Sequence, residues 1–74
     1  MEASQRQMQQ LGARLRERRK ALNVTQLSLA EMCSLAPNTI INLERGTGNA
    51  RLETLFRITD VLGLSLDFVP KRLS

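Results

Sequence analysis

Residues 25–46 of this 74-residue chain read Thr-Gln-Leu-Ser-Leu-Ala-Glu-Met-Cys-Ser-Leu-Ala-Pro-Asn-Thr-Ile-Ile-Asn-Leu-Glu-Arg-Gly, and their punctuation constrains the fold more than any other stretch. The spacing predicts two short helices joined by a tight turn. Thr25 can start the first, because its hydroxyl can accept from an unpaired backbone N–H of the opening turn. Val24 before the cap and Leu29 after it stand at hydrophobic-staple spacing. Leu29 with Met32 or Cys33 then makes a short inward stripe, and the small Ala30 lets another helix approach. The break falls at Cys33-Ser34-Leu35. Pro37 restarts a helix, since its missing N–H would have no intrahelical partner at the first position. Leu35 and Ile40 repeat the staple around a cap at Ala36. Ile40 and Leu43 face inward, Asn38, Ile41, Asn42 and Arg45 share the other face, and Gly46 supplies a left-handed end.

The flanking chain is organised to cover this pair. Residues 1–7 are polar, and the expectation is a flexible arm that frays or extends the next helix loosely. Residues 8–22 predict a helix with Met8, Leu11, Leu15 and Leu22 on one face and Arg14, Arg16, Arg18, Arg19 and Lys20 crowding the rest. Asn23 is a suitable left-handed terminator. Residues 46–51 form a loop with two glycines. Residues 52–62 predict an amphipathic helix with Leu52, Leu55, Phe56, Ile58, Thr59 and Leu62 inward, ended by Gly63. In residues 64–70, Leu64, Leu66 and Phe68 alternate with Ser65 and Asp67, a period that suits a strand. A lone strand leaves its backbone groups unpaired, so it would need a partner, most simply the same segment of a second subunit. One domain over residues 8–70 and a mobile tail over residues 71–74 follow.

Composition closes off other classes. There is one cysteine and no histidine, so the chain has no internal disulfide, no conventional zinc site and no Cys–His nucleophile. It has no glycine-rich phosphate loop, and two phenylalanines as its only aromatics give little platform for stacking single-stranded bases. These features argue against an enzyme and imply no cofactor. No secretory signal pattern or membrane-spanning run is apparent, so a cytoplasmic protein is expected. The net charge of +4 comes from nine arginines and two lysines against seven acids, which suits a polyanionic partner.

Thr25-Gln26, Leu29-Ala30-Glu31, Thr39-Ile40 and Leu43-Glu44-Arg45-Gly46 resemble the helix-turn-helix of the Cro/CI-like (XRE) repressor family. The resemblance extends to Leu15–Arg19 upstream and to Leu52–Gly63 downstream. It implies a compact all-α domain of four to five helices, lambda-repressor-like, with either a short helix or a dimer-pairing strand at 64–70. The ending from Arg51 onward resembles HipB-type antitoxin repressors, in which a C-terminal strand pairs across the dimer through positions such as Leu64, Leu66 and Phe68. The family also implies an ion pair between Arg19 and Glu44. Three positions depart from its pattern: Ser28 where Glu often completes a capping box, Ser34 where the turn usually has Gly, and Ala36 where Ser or Thr often caps.

What the resemblance implies about function is a homodimeric regulator of double-stranded DNA. Its second motif helix would enter the major groove and read bases with Pro37, Asn38, Ile41 and Asn42. Asparagine pairs bidentately with adenine, and proline and isoleucine offer apolar contact to a thymine methyl. Gln26, Thr39, Arg45, Thr47 and Asn49 are the expected phosphate contacts. A repressor binding an inverted repeat is the leading expectation. An antitoxin that also holds a toxin protein is the alternative.

Overall fold

The computed structural model describes residues 2–72, so Met1 of the expected arm and Leu73 and Ser74 of the expected tail lie outside it. Four helices follow in order: α1 (Glu2–Ala21), α2 (Gln26–Cys33), α3 (Pro37–Arg45) and α4 (Leu52–Leu62). The motif helices and α4 fall where the sequence pattern puts them. α1 begins at Glu2 rather than Met8, so of the two expectations for the polar run it is the helical extension that the described residues form. Its inward stripe is shorter than expected. Leu15 is buried and Leu11 half-buried, whereas Met8 lies at the rim and Leu22, already in the turn beyond the helix, is exposed.

All four helices end in one way. A left-handed residue follows the last turn: Asn23 (φ 58°), Ser34 (φ 57°), Gly46 (φ 75°) and Gly63 (φ 68°). The next residue's N–H then reaches back to an otherwise unpaired carbonyl. Val24 donates to Arg19 (3.1 Å), Leu35 to Ala30 (2.8 Å), Thr47 to Asn42 (2.9 Å) and Leu64 to Thr59 (2.8 Å). This is the Schellman arrangement, which folds the following side chain back onto the helix. Val24, Leu35 and Leu64 accordingly pack on the core. The fourth, Thr47, is polar and exposed, so the chain leaves α3 toward solvent.

The core is Leu15, Leu29, Ala30, Cys33, Ile40, Ile58 and Leu62. It settles the choice between Met32 and Cys33: Cys33 points inward and Met32 is exposed. In α4, Ile58, Thr59 and Leu62 are buried, and Thr59 satisfies its hydroxyl by donating to the Phe56 carbonyl (3.1 Å). Leu52 and Phe56, inward by the sequence pattern, are instead about half exposed. Phe56 stands one residue, about 100°, round the helix from Leu55, which puts it on the flank.

α1 and α3 cross almost backbone to backbone. A methyl on Gly12 would overlap the carbonyls of Leu43 and Glu44, and one on Gly46 would overlap the Gln9 backbone. Residues 64–72 have no regular secondary structure, so neither the expected strand nor the alternative helix forms in the single chain. The alternation survives in burial: Leu64 and Leu66 are half-buried, Ser65 and Asp67 exposed, but Phe68 breaks it at 86% exposed.

Candidate nucleic-acid interface

Thr25 caps α2 by accepting from the Ser28 N–H (3.0 Å), which holds the helix start where Gln26 can reach α3. Ser34 absorbs the reversal between α2 and α3 in a left-handed conformation that a β-carbon disfavours. α3 then opens on Pro37 with no side-chain cap, because Ala36 has nothing to offer.

The inward side of α3 is apolar at Ile40 and Leu43 and turns polar at Glu44. Arg19 donates to Glu44 through Nε to Oε2 (2.6 Å) and through Nη2 to Oε1 (2.9 Å). Its Nη1 donates to the Val24 carbonyl (2.9 Å), and Gln26 donates from Nε2 to Glu44 Oε1 (3.1 Å). Both members of the pair are buried. Burial pushes the Glu44 carboxyl up, but the hydrogen bonds from Arg19 and Gln26 and the positive charges of Arg19 and Arg16 outweigh it, so the group sits below the ordinary carboxylate value. The hydrogen bond to Glu44 raises the Arg19 guanidinium against the opposing effect of burial. One bidentate pair thus fixes the ends of α1 and α3, the turn before α2 and the first residue of α2 relative to one another.

The outward side of α3 is free of such ties. Pro37, Asn38, Asn42 and Arg45 are exposed and Ile41 and Thr39 half-buried. Asn38, Ile41, Asn42 and Arg45 recur at three- and four-residue steps and so line one ridge. The expected phosphate contacts are less uniform. Arg45 and Asn49 are exposed. Gln26 has one of its two amide hydrogens directed at Glu44. Thr47 directs both donors at a single acceptor, since its hydroxyl (3.2 Å) and its N–H both go to the Asn42 carbonyl. A phosphate contact from Thr47 therefore requires its hydroxyl to turn away from α3. Beyond it, Gly48 is left-handed (φ 75°) with open space around it.

The arginines divide into two groups that composition alone cannot separate. Arg18 donates to the Leu62 carbonyl at the end of α4 (2.8 Å), Arg19 holds Glu44, and Arg57 pairs with Glu53 (2.7 Å) and reaches the Cys33 carbonyl (3.4 Å). Among the described residues only Arg19 and Arg57 are in ion pairs, so Arg6, Arg14, Arg16, Arg18, Arg45, Arg51 and Arg72 keep an unneutralised positive charge. Cys33 is buried, and burial raises its thiol while the Arg57 charge opposes. No group of three or more potential metal ligands exists among the described residues.

A family model described as helix-turn-helix matches residues 15–69, more than half of the chain. The chain belongs to the XRE-type helix-turn-helix family. That is a family of DNA-binding transcription regulators and not of enzymes, which makes this chain a DNA-binding regulator with α2 and α3 as its motif. A search of curated proteins finds no match. No helix among the described residues is long and apolar enough to cross a membrane.

Proposed function

We propose that this helix-turn-helix protein is a homodimeric, sequence-specific repressor whose α3 reads an inverted-repeat operator in the major groove. The observation that carries this reading is the contrast between the two sides of α3. One side is locked to the rest of the domain through Ile40 and Glu44. The other presents Asn38 and Asn42, with Ile41 between them, on a ridge without internal partners. Asn38 and Asn42 are one turn apart and both suit adenine, so the half-site contains A·T pairs. Gln26, Thr39, Arg45 and Asn49 hold the backbone, and Thr47 joins them if its hydroxyl is released from Asn42. Two α3 helices in a dimer lie about 34 Å apart, one turn of DNA.

Selection of bound sequences from a random duplex library tests this directly. An enriched inverted repeat and a steep salt dependence are expected; absence of any enriched sequence overturns the reading. Asn42→Ala then weakens binding to the selected site by about 1–3 kcal/mol and relaxes one base position. Equal weakening on every sequence would remove Asn42 from the reading face.

A second, compatible reading is an antitoxin that also holds a toxin protein. The largely exposed Phe68 and Val69 favour it, because they are apolar surface in search of a cover. Co-purification of a stoichiometric partner from the native host would support it.

A further inference from the structure

The expected phosphate contacts lie on α2, α3 and the loop after α3. None lies on α1, yet α1 runs against the C-terminal half of α3. Gly12 meets the Leu43 and Glu44 backbone, and Arg19 meets the Glu44 carboxylate. Gly12, Arg16 and Arg19 are at four- and three-residue steps, so they form one stripe of α1. Arg16 stands between the two contact points but is exposed. It lines an open notch of about 390 Å³ with Gln26 of α2 and Ile41, Glu44 and Arg45 of α3.

The charge in this notch is unbalanced. Glu44 is the single acid lining it, and Arg19 already neutralises that carboxylate bidentately. Arg16 and Arg45 have no ion-pair partner among the described residues, so two positive charges face the opening. The Gln26 amide is held in place by Glu44, and one of its hydrogens remains unassigned to that bond. Ile41 belongs both to the notch and to the outward ridge of α3, so the notch opens on the side where the ridge would meet bases.

We propose that Arg16 is a phosphate-binding residue, and that Arg16, Gln26 and Arg45 grip one backbone phosphodiester at the junction of α1, α2 and α3. This rests on the operator-binding reading and extends it to a helix outside the motif. The grip would set the angle of α3 in the groove, because the three side chains come from three helices that the Arg19–Glu44 pair holds rigid. Contacts to phosphate position a protein without reading sequence, so Arg16 acts on all duplexes alike.

The test compares Arg16→Gln with Arg14→Gln. Both remove one charge from α1, but Arg14 is two residues, about 200°, round the helix and lines a different hollow with Glu17, Arg18, Ala21 and Leu64. Binding of each to the library-selected duplex and to a scrambled duplex is measured by fluorescence anisotropy over a salt series. Arg16→Gln is expected to flatten the salt slope by about one unit per half-site and to weaken binding to both duplexes roughly three- to tenfold. Arg14→Gln should leave the slope near wild type. Arg16→Lys, which keeps the charge, should retain the slope and guards against a folding defect in the glutamine variant. If Arg16→Gln matches Arg14→Gln while the wild type still selects an inverted repeat, the notch is refuted and the operator reading stands. A change in preferred base on Arg16→Gln would refute the phosphate role too. A wild type that selects no sequence would overturn both.

Discussion

Glu44 is the residue on which the orientation of α3 turns. It accepts three hydrogen bonds from two side chains of two other helices, and among the described residues no buried side-chain nitrogen or oxygen is left without a partner. Removing the carboxylate alone leaves the Arg19 guanidinium buried without its counter-charge. Glu44→Gln is expected to cost about 3–5 kcal/mol, comparable to the whole stability of a domain this small. Replacing both partners with apolar residues, Arg19→Met with Glu44→Leu, should recover most of that loss in a urea melt, because no charge is then stranded. The pH dependence has a definite sign. The Glu44 pKa is depressed from 4.5 in the folded state, so its contribution is present above that value and is lost as pH falls through the folded pKa. The melting temperature of the double variant should therefore fall less steeply than that of wild type below about pH 4.5. The pairing of Arg19 with Glu44 was legible only through the resemblance, since residues 25 apart in sequence share no local pattern. Gly12 is legible in principle: an isolated glycine inside a helical run signals close backbone approach when it has a reason to be there, and here the reason is the Leu43 and Glu44 carbonyls.

At the scale of the helices, starts and stops were the most readable features. Thr25, Pro37, Gly46 and Gly63 act through local backbone chemistry that sequence expresses directly, and each lies at the helix end expected of it. Faces were harder. Leu52, Phe56, Met8 and Leu22 are apolar and near helical register, yet they sit at the rims of a core too small to cover every apolar residue its helices offer. Whether residues 2–7 fray or extend α1 is not legible from an apolar stripe, since they have none, but Gln, Glu and Arg are good helix formers that can prolong a helix already anchored at Leu15. The turn between α2 and α3 makes a sharp prediction. Ser34 holds φ at 57°, a conformation that costs a residue with a β-carbon about 1–2 kcal/mol. Ser34→Gly should raise stability by up to roughly 1 kcal/mol, the relief of strain being partly offset by the greater freedom of glycine in the unfolded chain. Thermal melts at equal protein concentration would register it. A loss of stability would mean that the Ser34 side chain contributes more than its backbone costs.

For the whole molecule, the C-terminal segment is the part that the single chain leaves uncovered. Leu64 is tied into the monomer, since its N–H reaches the Thr59 carbonyl and its side chain packs on the core. The chain runs on to Arg72 without secondary structure, and Phe68 and Val69 on the way are largely exposed. Asp67 keeps the Phe68 N–H engaged from its own side chain (2.8 Å), a local bond that a pairing strand could replace. The period-two pattern of residues 64–68 was readable in sequence, but a strand is a property of two chains together, so its partner could not be read from one. If this segment pairs across a two-fold axis, Phe68 lies in the seam, and Phe68→Asp places two like charges beside each other there. That substitution should shift sedimentation from dimer to monomer without lowering helical content, because Phe68 has little contact with its own chain. It should also abolish tight binding to an inverted repeat while leaving weak, salt-sensitive binding to a single half-site. An unchanged dimer would move the subunit contact elsewhere, and the exposed Leu52 and Phe56 of α4 would then be the next surface to substitute.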